Sequence, residues 1–276
     1  MSLTDLTAVR YEVQGRVATV WLHRPHRHNA WTGRMHTEYR SVLAALDDDQ
    51  RVRVVVVTGT PPAFCVGGDS DALQGHADRG GYDPGLTAEV ARPGYGVRPE
   101  FDADFAFQFA LRFPIIAAVN GAAAGVGLAL ALFCDLRFGA ANAKVTTAAP
   151  KLGLPAEFGM SWMLPRLIGV TRAADLLLSG RVVTPLETEP WGLWNGVEPD
   201  GEATLTRALA YADHLANGVG PTALATTKQQ LYCDLLHHSP ATAIHDAQRL
   251  LAEAMGTSEY REGVAALREK RAPRFD

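Results

Sequence analysis

The sequence has few cysteines, no run of basic residues and no long apolar stretch. Its three cysteines, Cys65, Cys134 and Cys233, include no CxxC pair among the 276 residues. That spacing argues against a disulfide framework and against a zinc site. No run of about 18 apolar residues predicts a membrane span, and no signal-peptide pattern occurs. We therefore expect a soluble, cytoplasmic protein with no membrane partner.

The charge balance is mildly acidic, with 26 Lys and Arg residues against 30 Asp and Glu residues. Proteins that bind nucleic acid usually carry a strongly basic face. We therefore expect a small-molecule partner and no nucleic acid. Hydrophobic residues make up 47% of the chain, which is enough to bury a large core in one large or two small domains.

Short apolar runs alternate with helical spacing through the first two thirds of the chain. The β-branched run at residues 52–58 (VRVVVVT) indicates a strand that is buried on both faces. The predicted strands are residues 17–22, 52–58, 115–119 and 135–139, and the predicted helices are residues 32–46, 105–113, 128–134 and 160–167. The last part is mostly helical, with helices predicted at residues 204–216, 222–235, 241–255 and 258–271. The pattern predicts a mixed α/β core followed by a helical segment.

Residues 74–100 differ from the rest, because they are rich in Gly, Pro, Asp and Arg and show no clear period. We predict a long loop there. Two interpretations stay open for it: a mobile lid over a functional site, or a disordered insert.

Residues 64–73 (FCVGGDSDAL) follow a predicted strand and open a helix. Gly67 and Gly68 allow a tight turn in which the backbone can approach a ligand closely. Asp69 or Ser70 can cap the helix. The first N–H groups of a helix lack intrahelical partners and would polarise a carbonyl oxygen placed beside them. A tight turn without any further role is the alternative.

Residues 119–127 (VNGAAAGVG) repeat this order of strand, glycine turn and helix. Two such turns that converge could supply the two N–H donors of an oxyanion hole. Whether they converge depends on the fold and does not follow from the sequence.

Segments along nearly the whole chain resemble, in order, the motifs of the enoyl-CoA hydratase/isomerase (crotonase) family. They are residues 23–30 (HRPHRHNA), 64–73, 116–135 (IAAVNGAAAGVGLALALFCD), 152–169 (LGLPAEFGMSWMLPRLIG), 176–181 (LLLSGR) and 262–271 (EGVAALREKR). The resemblance implies an α/β fold of the ClpP/crotonase type, a spiral of ββα units with a helical C-terminal segment. It places the spiral core with an acyl-CoA site in residues 1–200 and a trimerisation segment in residues 201–276.

The same resemblance implies an acyl-CoA thioester as the partner and a homotrimer or hexamer as the assembly. It implies no metal and no cofactor beyond the CoA that enters with the substrate. The oxyanion N–H groups fall on Gly68 and Val126. Further candidates for contact with substrate or CoA are Val66, Gly67, Asp69, Ser70, Asp71, Gly125, His26 and Lys270. For Asp69 a helix cap, and for Lys270 an exposed charge, remain as alternatives.

Two departures from the family pattern bear on the chemistry. Family hydratases carry two glutamates that position water, and those places correspond here to Ala129 and Ala149. An Ala methyl group can neither move a proton nor orient water. Glu157 takes the position of the acid that shuttles a proton in some family isomerases. A cap or an ion pair at the start of the following helix is the alternative role for Glu157.

These observations predict an enzyme that moves an enoyl-CoA double bond, with Glu157 as the catalytic proton shuttle. Its apolar neighbours Phe158, Met160 and Trp162 should raise the pKa of Glu157 by desolvation. Hydration of an enoyl-CoA, with Glu157 and an acid from residues 74–100, is the first alternative. A CoA-thioester-binding protein without turnover is the second.

Overall fold

The computed structural model describes residues 3–79, 85, 90–236 and 239–275. In these ranges the strands are β1 (Val9–Gln14), β2 (Val17–Leu22), β3 (Val54–Gly59), β4 (Ala63–Cys65), β5 (Ile115–Val119), β6 (Ala122–Ala124), β7 (Leu136–Ala140), β8 (Val145–Thr146) and β9 (Gly196–Glu198). The α-helices are α1 (Gly33–Asp48), α2 (Ser70–Arg79), α3 (Val126–Leu132), α4 (Met160–Ser179), α5 (Pro185–Thr188), α6 (Gly201–Gly218), α7 (Pro221–Asp234), α8 (Pro240–Met255) and α9 (Ser258–Glu269).

The strands form two sheets, and from β3 to β8 successive strands belong alternately to one sheet and the other. The larger has the order β1-β2-β3-β5-β7-β9, and the smaller has the order β4-β6-β8. All neighbouring strands are parallel except β1 and β2, which form an antiparallel hairpin. Each successive unit (β3-β4-α2, β5-β6-α3 and β7-β8-α4) adds one strand to each sheet and then a helix. This is the spiral of ββα units that the family resemblance implies.

Every residue of β3 and β5 is buried, as expected for central strands covered on both faces. Helix α6 covers one face of the larger sheet and packs its small residues Ala208, Ala212 and Ala216 against that sheet. The other face packs against the main core, which includes α1 and α3. The central strands of the larger sheet are therefore packed between α6 and the main core.

Several elements match the sequence predictions closely. The predicted strands at residues 17–22 and 115–119 are confirmed at both ends by β2 and β5. Helix α1 begins after Thr32, whose side chain accepts a hydrogen bond from the Met35 N–H at 3.1 Å. The helical C-terminal segment is confirmed, with α6 to α9 within a few residues of their predicted bounds.

Two predictions of local structure were wrong. The loop predicted from residue 74 starts later, because α2 continues to Arg79. One turn of this helix is spanned by a hydrogen bond of 2.7 Å from the Gln74 side chain to the Asp78 carboxylate. Residues 80–84 and 86–89 of that segment lie outside the described residues. The helix predicted at residues 105–113 is only a 3₁₀ turn at Ala106–Ala110, since Phe107 and Phe109 turn into the core and Leu111 is extended.

Helix α8 contrasts with the other long helices, because none of its residues is buried. Ile244, Leu251 and Met255 expose large apolar side chains on it. Across the described residues, no helix combines the length and the apolar character that crossing a membrane requires.

Candidate active site

Two glycine turns meet at one edge of the smaller sheet. Strands β4 and β6 are parallel neighbours, with Cys65 paired to Ala123, so the turns that follow them leave the sheet at the same edge. Gly67 has φ +103° and Gly125 has φ +48°, conformations that side-chain-bearing residues rarely adopt. A Cβ atom placed on Gly125 would lie 4.0 Å from the Gly67 Cα. The two turns therefore converge.

The backbone around Gly68 is fixed by Trp31. The Trp31 N–H donates to the Gly67 carbonyl at 2.7 Å, and the Asp69 N–H donates to the Trp31 carbonyl at 2.9 Å. Because consecutive amides of an extended chain alternate in direction, the Gly68 N–H points away from Trp31. In the described part of the chain this N–H donates to no protein acceptor.

Val126 is the first residue of α3 and follows a turn that is tied to β8. The Gly125 N–H donates to the Thr146 carbonyl at 3.1 Å, which holds the turn in place. The first N–H groups of a helix have no intrahelical acceptor. No acceptor for the Val126 N–H occurs among the described residues.

A cavity of about 140 Å³ brings both amides together with one carboxyl group. Gly68 and Val126 line it, and so does Glu157 from the segment before α4. Trp31 and Phe158 supply aromatic walls, and the exposed Leu152 and Leu154 lie at its opening, where a chain-like ligand could enter. The site thus joins two free N–H donors, one acid and an apolar entrance.

The Glu157 side chain is half-buried, and burial raises the pKa of its carboxyl group. In the described residues it makes neither a hydrogen bond nor an ion pair, and only its backbone carbonyl accepts from Met160, at 3.0 Å. Helix α4 has no side-chain cap at its start. Within the described ranges, Glu157 therefore has neither the capping role nor the ion-pairing role considered for it.

Asp69 follows Gly68 and anchors the turn through its side chain. Its carboxylate accepts hydrogen bonds from Arg24 at 2.8 Å, from Arg27 at 3.0 Å and from the Asp71 N–H at 3.0 Å. Burial opposes ionisation of Asp69, but these hydrogen bonds outweigh it and lower the pKa of the carboxyl group. The Asp69 side chain is only 5% exposed. Through these hydrogen bonds Asp69 holds the Gly68 turn in position.

The remaining predicted contact residues fall into two groups. Val66, Gly67 and Gly125 line the cavity with the two amide donors. The others, which do not line it, are Asp69, Ser70, Asp71, His26 and Lys270. His26 lies on a 3₁₀ turn (Pro25–Arg27), and Lys270 ends α9. Their contact with CoA stays a prediction, because a CoA moiety would extend beyond this cavity.

Sequence reasoning missed Trp31, which both fixes the Gly68 turn and lines the cavity. Only its place directly after the HRPHRHNA segment could have indicated it. Cys65, close to the site in sequence, is fully buried, and burial raises the pKa of its thiol to about 12. It therefore stays protonated and is a poor nucleophile. Among the described residues, no three His, Cys, Asp or Glu side chains come together as metal ligands.

The chain is similar to known proteins over nearly its full length. A family model described as enoyl-CoA hydratase/isomerase matches residues 12–276. The 1,2-epoxyphenylacetyl-CoA isomerase of Escherichia coli K12 is 34% identical over 95% of this chain and 96% of its own. A probable enoyl-CoA hydratase of Rhodobacter capsulatus is also 34% identical, over 97% of both chains.

Solved structures give the same result for the fold. A probable enoyl-CoA hydratase/isomerase from Mycobacterium abscessus superposes with a TM-score of 0.84 at 32% identity, covering 97% of this chain and 98% of that one. An enoyl-CoA hydratase from Polaromonas sp. JS666 also reaches 0.84 at 27% identity, covering 98% and 100%. The spiral fold, the ordered motifs and these matches agree: the chain belongs to the enoyl-CoA hydratase/isomerase (crotonase) family.

Proposed function

We propose that this protein is an enoyl-CoA isomerase that moves a double bond between positions 3 and 2 of an acyl-CoA thioester. The observation that carries the proposal is one cavity lined by Gly68, Val126 and Glu157. Among the described residues, the two backbone N–H groups and the Glu157 carboxyl group have no hydrogen-bond partner. A thioester oxygen bound by two N–H donors becomes a better electron acceptor. A single carboxylate is then sufficient for the proton transfers.

The proposed reaction has two steps. The Glu157 carboxylate removes a proton from C2 of the 3-enoyl thioester, and the electrons pass to the carbonyl oxygen as a dienolate. The Gly68 and Val126 N–H groups stabilise the negative oxygen. Glu157 then returns the proton to C4, so the double bond ends between C2 and C3 and no atom is gained or lost.

Among the described residues no second acid borders the cavity, and this supports isomerisation over hydration. By the family resemblance, Ala129 and Ala149 stand where hydratases have their two glutamates. Both alanines are buried, at 0% and 1% exposure, and neither lines the cavity. Glu157 therefore supplies the one carboxyl group that borders the cavity among the described residues.

Hydration is the second candidate, because proteins 34% identical to this chain include one named as a probable hydratase. Incubation with 3-enoyl-CoA and with 2-enoyl-CoA in heavy water separates the two. Isomerisation gives the shifted double bond, with deuterium in the acyl chain only to the extent that the proton on Glu157 exchanges with solvent before it is returned, whereas hydration gives a 3-hydroxyacyl product. Saturable binding of both thioesters with neither product would leave only a binding protein and would overturn the proposal.

The rate should depend on pH through Glu157. The carboxylate must be ionised to accept the first proton, so kcat/KM should rise as the pH passes upward through the pKa of Glu157. Because burial raises this pKa, we expect the midpoint above the ordinary Glu value of about 4.3. A pH profile of kcat/KM checks this, and a midpoint at or below the ordinary value would contradict it.

Gly125→Ala should reduce turnover by about tenfold or more while leaving the protein folded. Space is available for the methyl group, with the nearest atom, the Thr147 carbonyl oxygen, at 3.9 Å. The φ of +48° and ψ of −120° are nevertheless costly for alanine, so the turn should relax and move the Val126 N–H. Kinetics at saturating substrate measure the loss.

Gly15→Ala is the matched control for that substitution. Gly15 has φ +58°, has open space around it, and lies in the turn between β1 and β2. This substitution also places alanine at a positive φ, and it should cause no loss of kcat. Equal losses of kcat in both variants would show that strain alone, and not the placement of the amide, explains the effect.

We also propose a cytoplasmic trimer or hexamer assembled through residues 201–276. The apolar residues exposed on α8, including Ile244 and Leu251, support an assembly that covers them. Light scattering should give three or six times the chain mass of 29.7 kDa. Ile244→Glu should lower that mass, and a monomeric wild-type protein would contradict the proposal.

A further inference from the structure

A second, larger cavity lies beside the proposed active site. It has a volume of about 510 Å³, against about 140 Å³ for the cavity at Gly68 and Val126. We call it the aromatic chamber. Its apolar walls are Phe101, Phe109, Phe133, Phe158, Trp162 and Leu236. The role proposed for the smaller cavity leaves the chamber unused.

Of the residues that the structure describes, Phe158 alone lines both cavities. Its ring packs edge-on against the ring of Phe105, with the ring centroids 5.6 Å apart. Phe105 packs edge-on against Trp31 with the same separation of 5.6 Å between centroids. Trp31 in turn lines the smaller cavity. These three rings form a continuous wall, in which Phe158 is the member directly between the reacting centre and the chamber.

The backbone at Phe158 holds the ring in this place at a conformational cost. Its φ is +48°, a region in which bulky side chains are uncommon. The next residue, Gly159, has φ +73°, and a Cβ atom there would lie 2.9 Å from the Phe133 ring. Strained backbone of this kind concentrates at functional sites. Glu157 directly precedes Phe158, and both line the smaller cavity. Acyl carbons within reach of the Glu157 carboxyl group would therefore lie close to the Phe158 ring.

We propose that Phe158 determines acyl-group specificity by closing the chamber, so that the wild-type protein accepts short acyl groups. An apolar cavity of about 150 Å³ holds one benzene molecule, or about six carbon atoms. The smaller cavity therefore accommodates the thioester and about four acyl carbons. The chamber would hold the apolar tail of a longer acyl group once the Phe158 ring is removed. This inference rests on the proposed function, because it places the thioester oxygen at Gly68 and Val126.

Binding of saturated acyl-CoA esters tests the inference without any turnover. By calorimetry, wild-type protein should bind butanoyl-CoA at least tenfold more tightly than octanoyl-CoA. Phe158→Ala should tighten octanoyl-CoA binding about tenfold or more and change butanoyl-CoA binding less than threefold. Phe158→Leu should be intermediate. Thermal unfolding of each variant establishes that it is folded.

Filling the chamber provides the matched control. Ala103 is exposed and lines the chamber but not the smaller cavity. Ala103→Trp in the Phe158→Ala background should abolish the gain in octanoyl-CoA affinity, and alone it should leave butanoyl-CoA binding unchanged. A gain that survives the filled chamber would overturn the inference.

The outcomes separate this inference from the proposed function. Tight butanoyl-CoA binding with no response of chain-length preference to Phe158→Ala overturns the role of Phe158 and leaves the proposed function standing. If wild-type protein binds neither ester, both fail. A tenfold gain for octanoyl-CoA in a folded Phe158→Ala variant supports the inference whether or not the reaction is isomerisation.

Discussion

Glu157→Gln should lower kcat/KM for the conversion of 3-enoyl-CoA to 2-enoyl-CoA by roughly 10³-fold. The amide keeps the size and shape of the side chain but cannot accept a proton from C2. General acid–base groups typically contribute 10²- to 10⁴-fold to a rate, and here one group performs both transfers. No second carboxyl group among the described residues lines the cavity, so none of them can take over these transfers. Steady-state kinetics with a 3-enoyl-CoA substrate measure the effect.

Two controls make the Glu157→Gln result specific. Binding of a saturated acyl-CoA should change little, since the side chain makes no hydrogen bond or ion pair within the described residues whose loss would disturb the site. Glu202→Gln, at the exposed start of α6, should leave kcat/KM at the wild-type level. Retention of activity in Glu157→Gln would assign the proton transfers to another group.

Much of the spiral could be predicted from local sequence patterns. The run at residues 52–58 is β-branched at every position except Arg53, and a strand covered on both faces has no alternating polar face. The C-terminal helices follow from apolar spacing and from caps such as Asp200, whose side chain accepts from the Ala203 N–H at 2.9 Å. Such signals depend only on residues near one another in the sequence.

Other features depend on contacts between distant residues. Phe105, Phe109 and Phe113 recur at helical spacing, yet Phe107 is buried as well, and Phe109 stacks on Tyr232 of α7 with the ring centroids 3.8 Å apart. That contact joins residues more than one hundred positions apart, so the local pattern could not show that the segment forms only a short 3₁₀ turn. Tertiary packing overrides weak helix propensity in such cases.

In the candidate site too, some features follow from local sequence and others depend on contacts between distant residues. The glycine turns at residues 67–68 and 125–127 were visible in the sequence, but their convergence follows from the pairing of β4 with β6. The support of Asp69 by Arg24 and Arg27 crosses more than forty positions. Glu157 was identified only by family resemblance, and its lack of a partner is a property of the folded chain.

A buried ion pair contributes to the attachment of α7 to the core. Lys228 on α7 lies 2.9 Å from Asp135, and its ammonium group also donates to the Phe113 carbonyl at 2.8 Å. Asp135 in turn accepts from the Ile115 N–H at the start of β5, at 2.6 Å. The lysine and aspartate side chains are 5% and 13% exposed. These contacts connect α7 to the start of β5.

Lys228→Met should lower the free energy of unfolding by about 3 kcal/mol, because it leaves the Asp135 carboxylate buried without its counter-charge. Methionine keeps most of the apolar stem of lysine, so lost packing contributes little. Urea unfolding at constant protein concentration measures the change, with Lys144→Met, at an exposed position, as the control. Adding Asp135→Asn should restore part of the loss, since the double variant buries no net charge. A Lys228→Met variant as stable as the control would show that the ion pair does not hold α7 to the core.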